Sequence, residues 1–380
     1  MSVLQIIVLA IVIIAVFFLG ATLIGMWRFR KKANKANPIQ LAHLIREKID
    51  KGEGGFSCRI NQKPWLDINE RVNFPLASLT QVIIALDYAK QAANKKIDPE
   101  KIIKVTELER FYIPKTDGNA HANWLASLNQ PTEVTLKQVA EGMVINSSNA
   151  NTDFLISELG IDSINQTLRE SELDSHDNII PITSQLYLPV KLMNEGMTKE
   201  ETFKHIEALP RQEYEEAVLS AFDEWCMSPP TDNLKNEIYS LMSMSFQKMW
   251  TGKLAKSNTR DYAKLVGRLN RETFYSKELY AHFTPLIQYK VGIDPEIIDY
   301  AQKAGATAYV ISLISYAETV SNHIELVYML DGLNTMEQTQ VRGTVERFQR
   351  EFMVNPDFRR QVKQVLTEPK ETQKQKKKNK

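Results

Sequence analysis

Residues 74–86 read FPLASLTQVIIAL, and this stretch determines the predicted fold. The run from Val82 to Leu86 is wholly apolar, which predicts a buried helix. Ser78 lies just before the run and Gln81 follows three residues later, so both side chains fall on one face of the first turn. Taken alone, a serine at this position is also an ordinary helix start.

Two further short motifs follow in order. Ser147, Ser148 and Asn149 precede a second apolar run, although a cluster of this kind is by itself a common helix start. Residues 303–305, Lys-Ala-Gly, end a strand-like segment that begins at residue 297. Residues 290–292, Lys-Val-Gly, are a competing choice. We favour Lys303 because a strong strand pattern, residues 309–316, follows it.

In this order the motifs resemble S-x-x-K, S-D-N and K-T-G, the set shared by class A β-lactamases and penicillin-binding proteins. The resemblance spans about residues 38–355 and departs from the pattern at three positions: Gln81 replaces lysine, Ser148 replaces aspartate and Ala304 replaces threonine. The fold that it implies is an α/β (α+β) sandwich. Its antiparallel sheet is formed from both ends of the domain, beside a helical subdomain.

The local patterns agree with that order of elements. A helical pattern follows Pro38, residues 55–66 read as a strand hairpin with its turn at 61–63, and strands are predicted at 297–303, 307–316 and 324–330. A last amphipathic helix runs to Asn355. The charge-rich residues 200–254 read as helical and are longer than compact members of the family require, which predicts an insertion.

Serine is a weak nucleophile near neutral pH, so acyl transfer needs a proton acceptor and oxyanion donors. The resemblance implies that Ser78 is the nucleophile and that Ser147 relays a proton. Gln81 could donate a hydrogen bond to Ser78 but cannot act as a base. Losing a positioned base commonly costs about 10²–10⁴ in rate.

The third motif supplies a cation and a close backbone approach in the families that carry it. Lys303 would attract a substrate carboxylate, and it could also accept a proton through Ser147. Gly305 would let the strand approach closely, since glycine has no Cβ. Ala304 lacks the hydroxyl that would contact the carboxylate. Asn149 would bind the substrate or the side chain of the first motif.

Two other parts of the expected site are less defined. Class A enzymes carry a loop glutamate that activates the deacylating water; Glu170 and Glu172 occupy the approximate region, but no E-x-x-L-N pattern is present. Fast β-lactam turnover is therefore not expected. Tyr112 is predicted either to line the cleft or to be a core aromatic.

Residues 1–27 carry no charge and are long enough to span a bilayer, so they predict a single-pass transmembrane anchor. Residues 28–37 form a basic linker, 38–366 the folded domain, and 367–380 a lysine-rich tail. Basic residues directly after the helix favour a cytoplasmic domain. The family resemblance favours the outer face, and we expect the domain there.

Charge also limits the partners. Residues 1–35 have a net charge of +5, residues 368–380 have +4, and the whole chain has +1. The residues between these ends therefore have a net charge of −8, which argues against nucleic-acid binding. The basic ends could contact anionic lipid or a wall polymer, or the tail could simply be solvated. Six histidines and two cysteines show no metal-ligand spacing, and no cofactor is expected.

The sequence leaves two functions open. One is a membrane-anchored serine hydrolase or acyl transferase acting on a β-lactam or peptidoglycan-peptide type substrate, slowed by Gln81. The other is a pseudoenzyme of the same fold that binds a wall peptide or a protein partner.

Overall fold

The computed structural model describes residues 37–228, 230–272, 274–288 and 294–368. Contacts divide the chain into two units, one of residues 45–335 and one that combines Met1–Leu44 with Met336–Lys380. The predicted transmembrane anchor and most of the basic linker lie outside the described residues, as does most of the lysine-rich tail. Among the helices that the structure does describe, none is long and apolar enough to cross a membrane.

A five-stranded antiparallel sheet organises the larger unit, with the order β2-β1-β9-β8-β7. The strands of the chain are β1 (Gly54–Ile60), β2 (Lys63–Ile68), β3 (Phe74–Pro75), β4 (Ile102–Lys104), β5 (Glu133–Thr135), β6 (Lys256–Ser257), β7 (Ile297–Ala306), β8 (Ile311–Thr319) and β9 (His323–Leu330). Strands from both ends of the unit therefore meet in one sheet, which confirms the predicted architecture.

The sequence explains the first hairpin. Asn61 and Gln62 both have positive φ, of 51° and 71°, and asparagine tolerates the left-handed region better than most residues. A two-residue turn with both residues in that region matches the twist of the flanking strands. The turn fixes the pairing of Ile60 with Lys63, so the predicted hairpin at residues 55–66 is confirmed.

Helices make up most of the rest. They are α1 (Ile39–Asp50), α2 (Gln81–Ala93), α3 (Val105–Glu109), α4 (Ala120–Ser127), α5 (Leu136–Asn146), α6 (Asn149–Leu159), α7 (Ile161–Glu170), α8 (Ile182–Asn194), α9 (Lys199–Ala208), α10 (Arg211–Met227), α11 (Asp232–Ser240), α12 (Met244–Lys253), α13 (Thr259–Arg271), α14 (Lys277–Ile287), α15 (Thr335–Val354) and α16 (Pro356–Thr367). The apolar α2 contacts α5, α6, α7 and α14, and α13 packs on strands β1, β8 and β9. The helix predicted from residues 82–86 is thus the buried centre of the helical layer.

Within the smaller unit, α15 and α16 pack through aromatic rings. The Phe348 ring lies 5.7 Å from that of Phe352 and 5.6 Å from that of Phe358. Asn355 separates the two helices and caps the second, because its side chain accepts hydrogen bonds from the first amides of α16. The predicted helix ending near Asn355 is confirmed; α16 was not predicted.

Candidate active site

Ser78 belongs to a short 3-10 helix, Ala77–Thr80, that leads directly into α2. Ala77 has φ of +47°, a left-handed conformation that is unusual for alanine. Strand β7 passes very close to this turn. A Cβ built on Gly305 would lie 2.1 Å from the Leu76 carbonyl oxygen and 2.8 Å from the Ser78 amide nitrogen. Only glycine can occupy position 305, so Gly305 brings the strand against the backbone of Ser78.

The backbone of β7 offers donors at the same place. The Thr307 amide donates to the Val310 carbonyl (3.0 Å) at the end of the β7–β8 hairpin. In an antiparallel pair, successive residues turn their amides alternately toward and away from the partner strand. The amide of Ala306 therefore points to the open edge of the sheet. It lies one peptide from Gly305, the residue that approaches the backbone of Ser78.

Lys303 lies beneath this edge with its amine inside the protein. Its side chain is only 4% exposed. The Nζ atom donates to the Val144 carbonyl oxygen (2.9 Å) and is hydrogen-bonded to Ser147 Oγ. Ser147 ends α5 in the left-handed conformation (φ 62°), which turns its side chain away from the helix axis. Burial lowers the pKa of Lys303 to about 7.

Gln81 does not join this pair. It is fully buried, and its Nε2 donates to Thr152 Oγ1 (2.9 Å) on α6, while the Thr152 hydroxyl donates to the Ser148 carbonyl (2.8 Å). Its Oε1 atom has no hydrogen-bond partner among the described residues. From the sequence, Gln81 could bond Ser78, and Asn149 could bond either Gln81 or the substrate; in the structure the Gln81 amide donates to Thr152.

Ser148 and His121 form a neutral cluster behind the second motif. Ser148 caps α6 by accepting from the Asn151 amide, and its Oγ lies 2.9 Å from His121 Nδ1. His121 is 1% exposed, and burial is the main cause that lowers its pKa. A serine and an uncharged imidazole therefore stand where the related motif has a carboxylate, so this position carries no negative charge near neutral pH.

Two other predicted binding residues lie beside the cluster. The Tyr112 ring packs on His121 with a centroid distance of 4.8 Å and is half-buried. Asn149 is the first residue of α6 and is partly exposed. Both flank the loop that carries Ser147.

The two glutamates considered for deacylation are engaged in ion pairs. Glu170 pairs with Lys90, while Glu172 pairs with Arg268 and, at 3.0 Å, with Lys264. Their pKa values are lowered by these cations, the hydrogen bonds being the largest cause. A base poised to activate water would need the opposite shift.

Residues 200–254 contain helices α9 to α12, and α12 reaches the end of β7. Thr251 Oγ1 lies 3.0 Å from Thr307 Oγ1, and Tyr309 Oη donates to the Met244 carbonyl (3.2 Å). The Leu76 amide donates to the Ala255 carbonyl (3.0 Å), just beyond α12. This segment therefore contacts both the Ser78 turn and the strand end.

Sequence reasoning missed two contributors, Thr152 and His121. Thr152 lies three residues after Asn149, so helical spacing would have placed it on the same face of α6. His121 lies in a segment, residues 121–124, that resembles serine hydrolases of this type, but its partner Ser148 lies elsewhere in the chain, so sequence spacing assigns it no role. Within the part of the chain that the structure describes, no group of three or more His, Cys, Asp or Glu side chains could hold a metal ion.

Known proteins share this fold. A model of the β-lactamase enzyme family matches residues 40–290. A β-lactamase from Sphaerobacter thermophilus is 13% identical with a TM-score of 0.52, over 82% of this chain and 98% of that chain. One from Chitinophaga pinensis is 13% identical with a TM-score of 0.50, over 83% and 99%. No curated protein matches. The likeness establishes a β-lactamase- and transpeptidase-like fold.

Proposed function

The chain belongs to the β-lactamase enzyme family, and from this premise we propose that it is a serine acyl-transfer enzyme with Ser78 as the nucleophile. The proposed substrate is a β-lactam or a peptidoglycan-type peptide. One observation carries the proposal: a buried amine, Lys303, is paired with Ser147 and has its pKa lowered to about 7. An amine that can lose its proton near neutral pH can serve as a general base.

We propose the following chemistry for these groups. Ser78 Oγ attacks the acyl carbon as its proton passes to Ser147 Oγ, whose own proton moves to Lys303 Nζ. The amides of Ser78 and Ala306 are the donors available to the oxyanion. The proton then returns through Ser147 to the leaving nitrogen, which breaks the C–N bond and leaves an ester on Ser78. Hydrolysis of that ester is expected to be slow, because Glu170 and Glu172 are engaged elsewhere.

The enzyme hypothesis is tested by intact-mass spectrometry of the chain with benzylpenicillin and with a neutral activated thioester. We expect a slowly formed adduct that is absent in Ser78→Ala. Thr80→Ala is the matched control: it removes a hydroxyl two residues away that is bonded only to the Ala77 carbonyl (3.2 Å). Absence of any adduct after long incubation would reject the proposal.

A second candidate function is a pseudoenzyme that binds a peptide or protein partner. The position of Gln81 favours it, since a neutral side chain tied to Thr152 stands where the family places a lysine. Under this alternative, both the native chain and Ser78→Ala bind a wall peptide with equal affinity in titration calorimetry, and neither is acylated.

We further propose that residues 1–27 anchor the protein in the membrane with the folded domain outside, as the uncharged apolar run indicates. The basic ends would then contact anionic lipid or a wall polymer. Added protease should remove the lysine-rich tail from intact right-side-out vesicles. Cleavage only after permeabilisation would place the domain in the cytoplasm.

A further inference from the structure

The end of the site near Lys303 lacks the groups that receive a carboxylate in the related motif. Nζ of Lys303 already bonds the Val144 carbonyl and Ser147 Oγ, and the side chain is 4% exposed. Burial is the one cause that lowers its pKa, so no charged side chain of the described residues sustains a positive charge on the amine. Lys303 is therefore buried and already hydrogen-bonded, rather than open to a carboxylate at this edge.

The residue after the lysine adds no donor. Side chains alternate along a strand, so Ala304 and Ala306 point to the same face of β7, opposite Lys303. Both alanines are exposed. The exposed face of β7 at this end therefore presents two methyl groups and no side-chain donor.

The hydroxyls of the turn between β7 and β8 are already engaged in hydrogen bonds. Thr307 Oγ1 accepts from the Tyr309 and Val310 amides (3.1 and 3.2 Å) and lies 3.0 Å from Thr251 Oγ1. Tyr309 Oη donates to the Met244 carbonyl. Residues 304–310 contain no basic side chain. Helix α12 thus holds the hydroxyls that could otherwise turn toward a ligand.

From these contacts we propose that the site selects acyl donors that carry no carboxylate next to the Lys303–Ala304 segment of β7. The preferred class is a neutral ester or amide. Selectivity in catalysis rests on the proposed function, because it requires an active enzyme. Selectivity in binding can be measured separately. A carboxylate placed there would lose water without gaining a hydroxyl or an accessible cation, which we expect to weaken binding by about tenfold to a hundredfold.

Benzylpenicillin and its methyl ester are a matched probe pair, because they differ only at this carboxylate. Affinity is measured by calorimetry with Ser78→Ala, where no ester to the protein can form, and acylation rates are measured with the native chain. We expect the methyl ester to bind about tenfold or more tightly and to acylate faster. Tighter binding of the acid, or no binding of either probe, would overturn the inference.

The two proposals can fail separately. Ester-selective binding to Ser78→Ala with no adduct on the native chain would reject the enzyme and keep the selectivity. Adduct formation that is faster with the acid would keep the enzyme and reject the selectivity.

Substitution of Ala304 gives a second, independent test. Ala304→Thr adds a hydroxyl at an exposed position, and Ala304→Val adds the same bulk without it. We expect Ala304→Thr, but not Ala304→Val, to bind the acid more tightly. The ratio of the affinity for the ester to the affinity for the acid should then fall by about tenfold. Equal effects of the two variants would show that the missing hydroxyl does not set the selectivity.

Discussion

The first motif ends, and the third begins, with a buried side chain, and the two side chains differ in their chemistry. Gln81 is an uncharged amide bonded to Thr152 on α6, whereas Lys303 is an amine paired with Ser147 at the end of α5. Both are almost inaccessible to solvent. The helix end of the cleft therefore carries a neutral amide, and the strand end carries a buried amine. The two ends must therefore be judged separately when activity is inferred from the motifs.

Charge explains why the strand end could remain functional alone. Compared with the related motifs, Ser148 beside His121 replaces a carboxylate and Gln81 replaces an ammonium. The site therefore lacks one negative and one positive charge that those motifs carry. Lys303 is left as a desolvated amine without a charged neighbour acting on it among the described residues. Desolvation favours the neutral form of an amine, and that is the form a general base requires.

Replacing the amine at the strand end should have the largest effect. Lys303→Met keeps most of the side-chain length but cannot take the proton from Ser147, so acylation measured by intact mass should fall by about 10²–10⁴. Gln81→Met is the control at the other end and should change the rate by less than about threefold. Equal losses at both positions would contradict the assignment of the base.

Stability provides an independent check on Lys303→Met. The lysine is neutral in the fold above about pH 7 but stays protonated in the unfolded chain up to its ordinary pKa, so its unfavourable effect shrinks as pH rises from 7 toward 10. Chemical denaturation should therefore find Lys303→Met more stable than the native chain at pH 7, with the gap closing by pH 10. A gap that does not change with pH would mean that the amine titrates normally.

Restoring the lysine at the helix end is the converse experiment. Gln81→Lys should raise acylation about tenfold or more, because it returns an amine one helical turn from Ser78. The position is fully buried, so the same change should lower the free energy of unfolding by about 2 kcal/mol. A stable, folded variant with no gain in rate would show that Gln81 is not what limits the reaction.

The fold was predictable because its signals are local. The apolar run after Ser78, the Asn61 turn and the strands after residue 297 each form patterns of a few residues, and their order specified the sheet. The proximity of Lys303 to Ser147 was also anticipated, from the order of the motifs. The partner of Gln81 and the role of His121 were not, because both depend on how α6 packs against helices distant in sequence.

The rate of acylation should follow the titration of Lys303. Burial lowers the pKa of this amine to about 7, and only its neutral form accepts a proton. The rate should therefore rise about tenfold per pH unit below 7 and level off above it. Native chain and Thr80→Ala should share this profile. Acylation that is independent of pH between 5.5 and 8 would contradict a lysine base.

The smallest effect is expected at the helix end. Gln81 Oε1 is buried and has no hydrogen-bond partner in the part of the chain that the structure describes, whereas Nε2 bonds Thr152. Gln81→Met removes both, and the lost bond, about 1 kcal/mol, is offset by relief of the unpaired oxygen. The free energy of unfolding should stay within about 1 kcal/mol of the native value in denaturant titrations.

Thr152→Val leaves the buried Gln81 amide without the Thr152 hydroxyl as its partner and should lower the free energy of unfolding by more, about 1–3 kcal/mol. If Gln81→Met lowers the free energy of unfolding more than Thr152→Val does, the glutamine stabilises the fold through contacts other than Thr152. The two ends of the cleft would then differ less than their hydrogen bonds indicate.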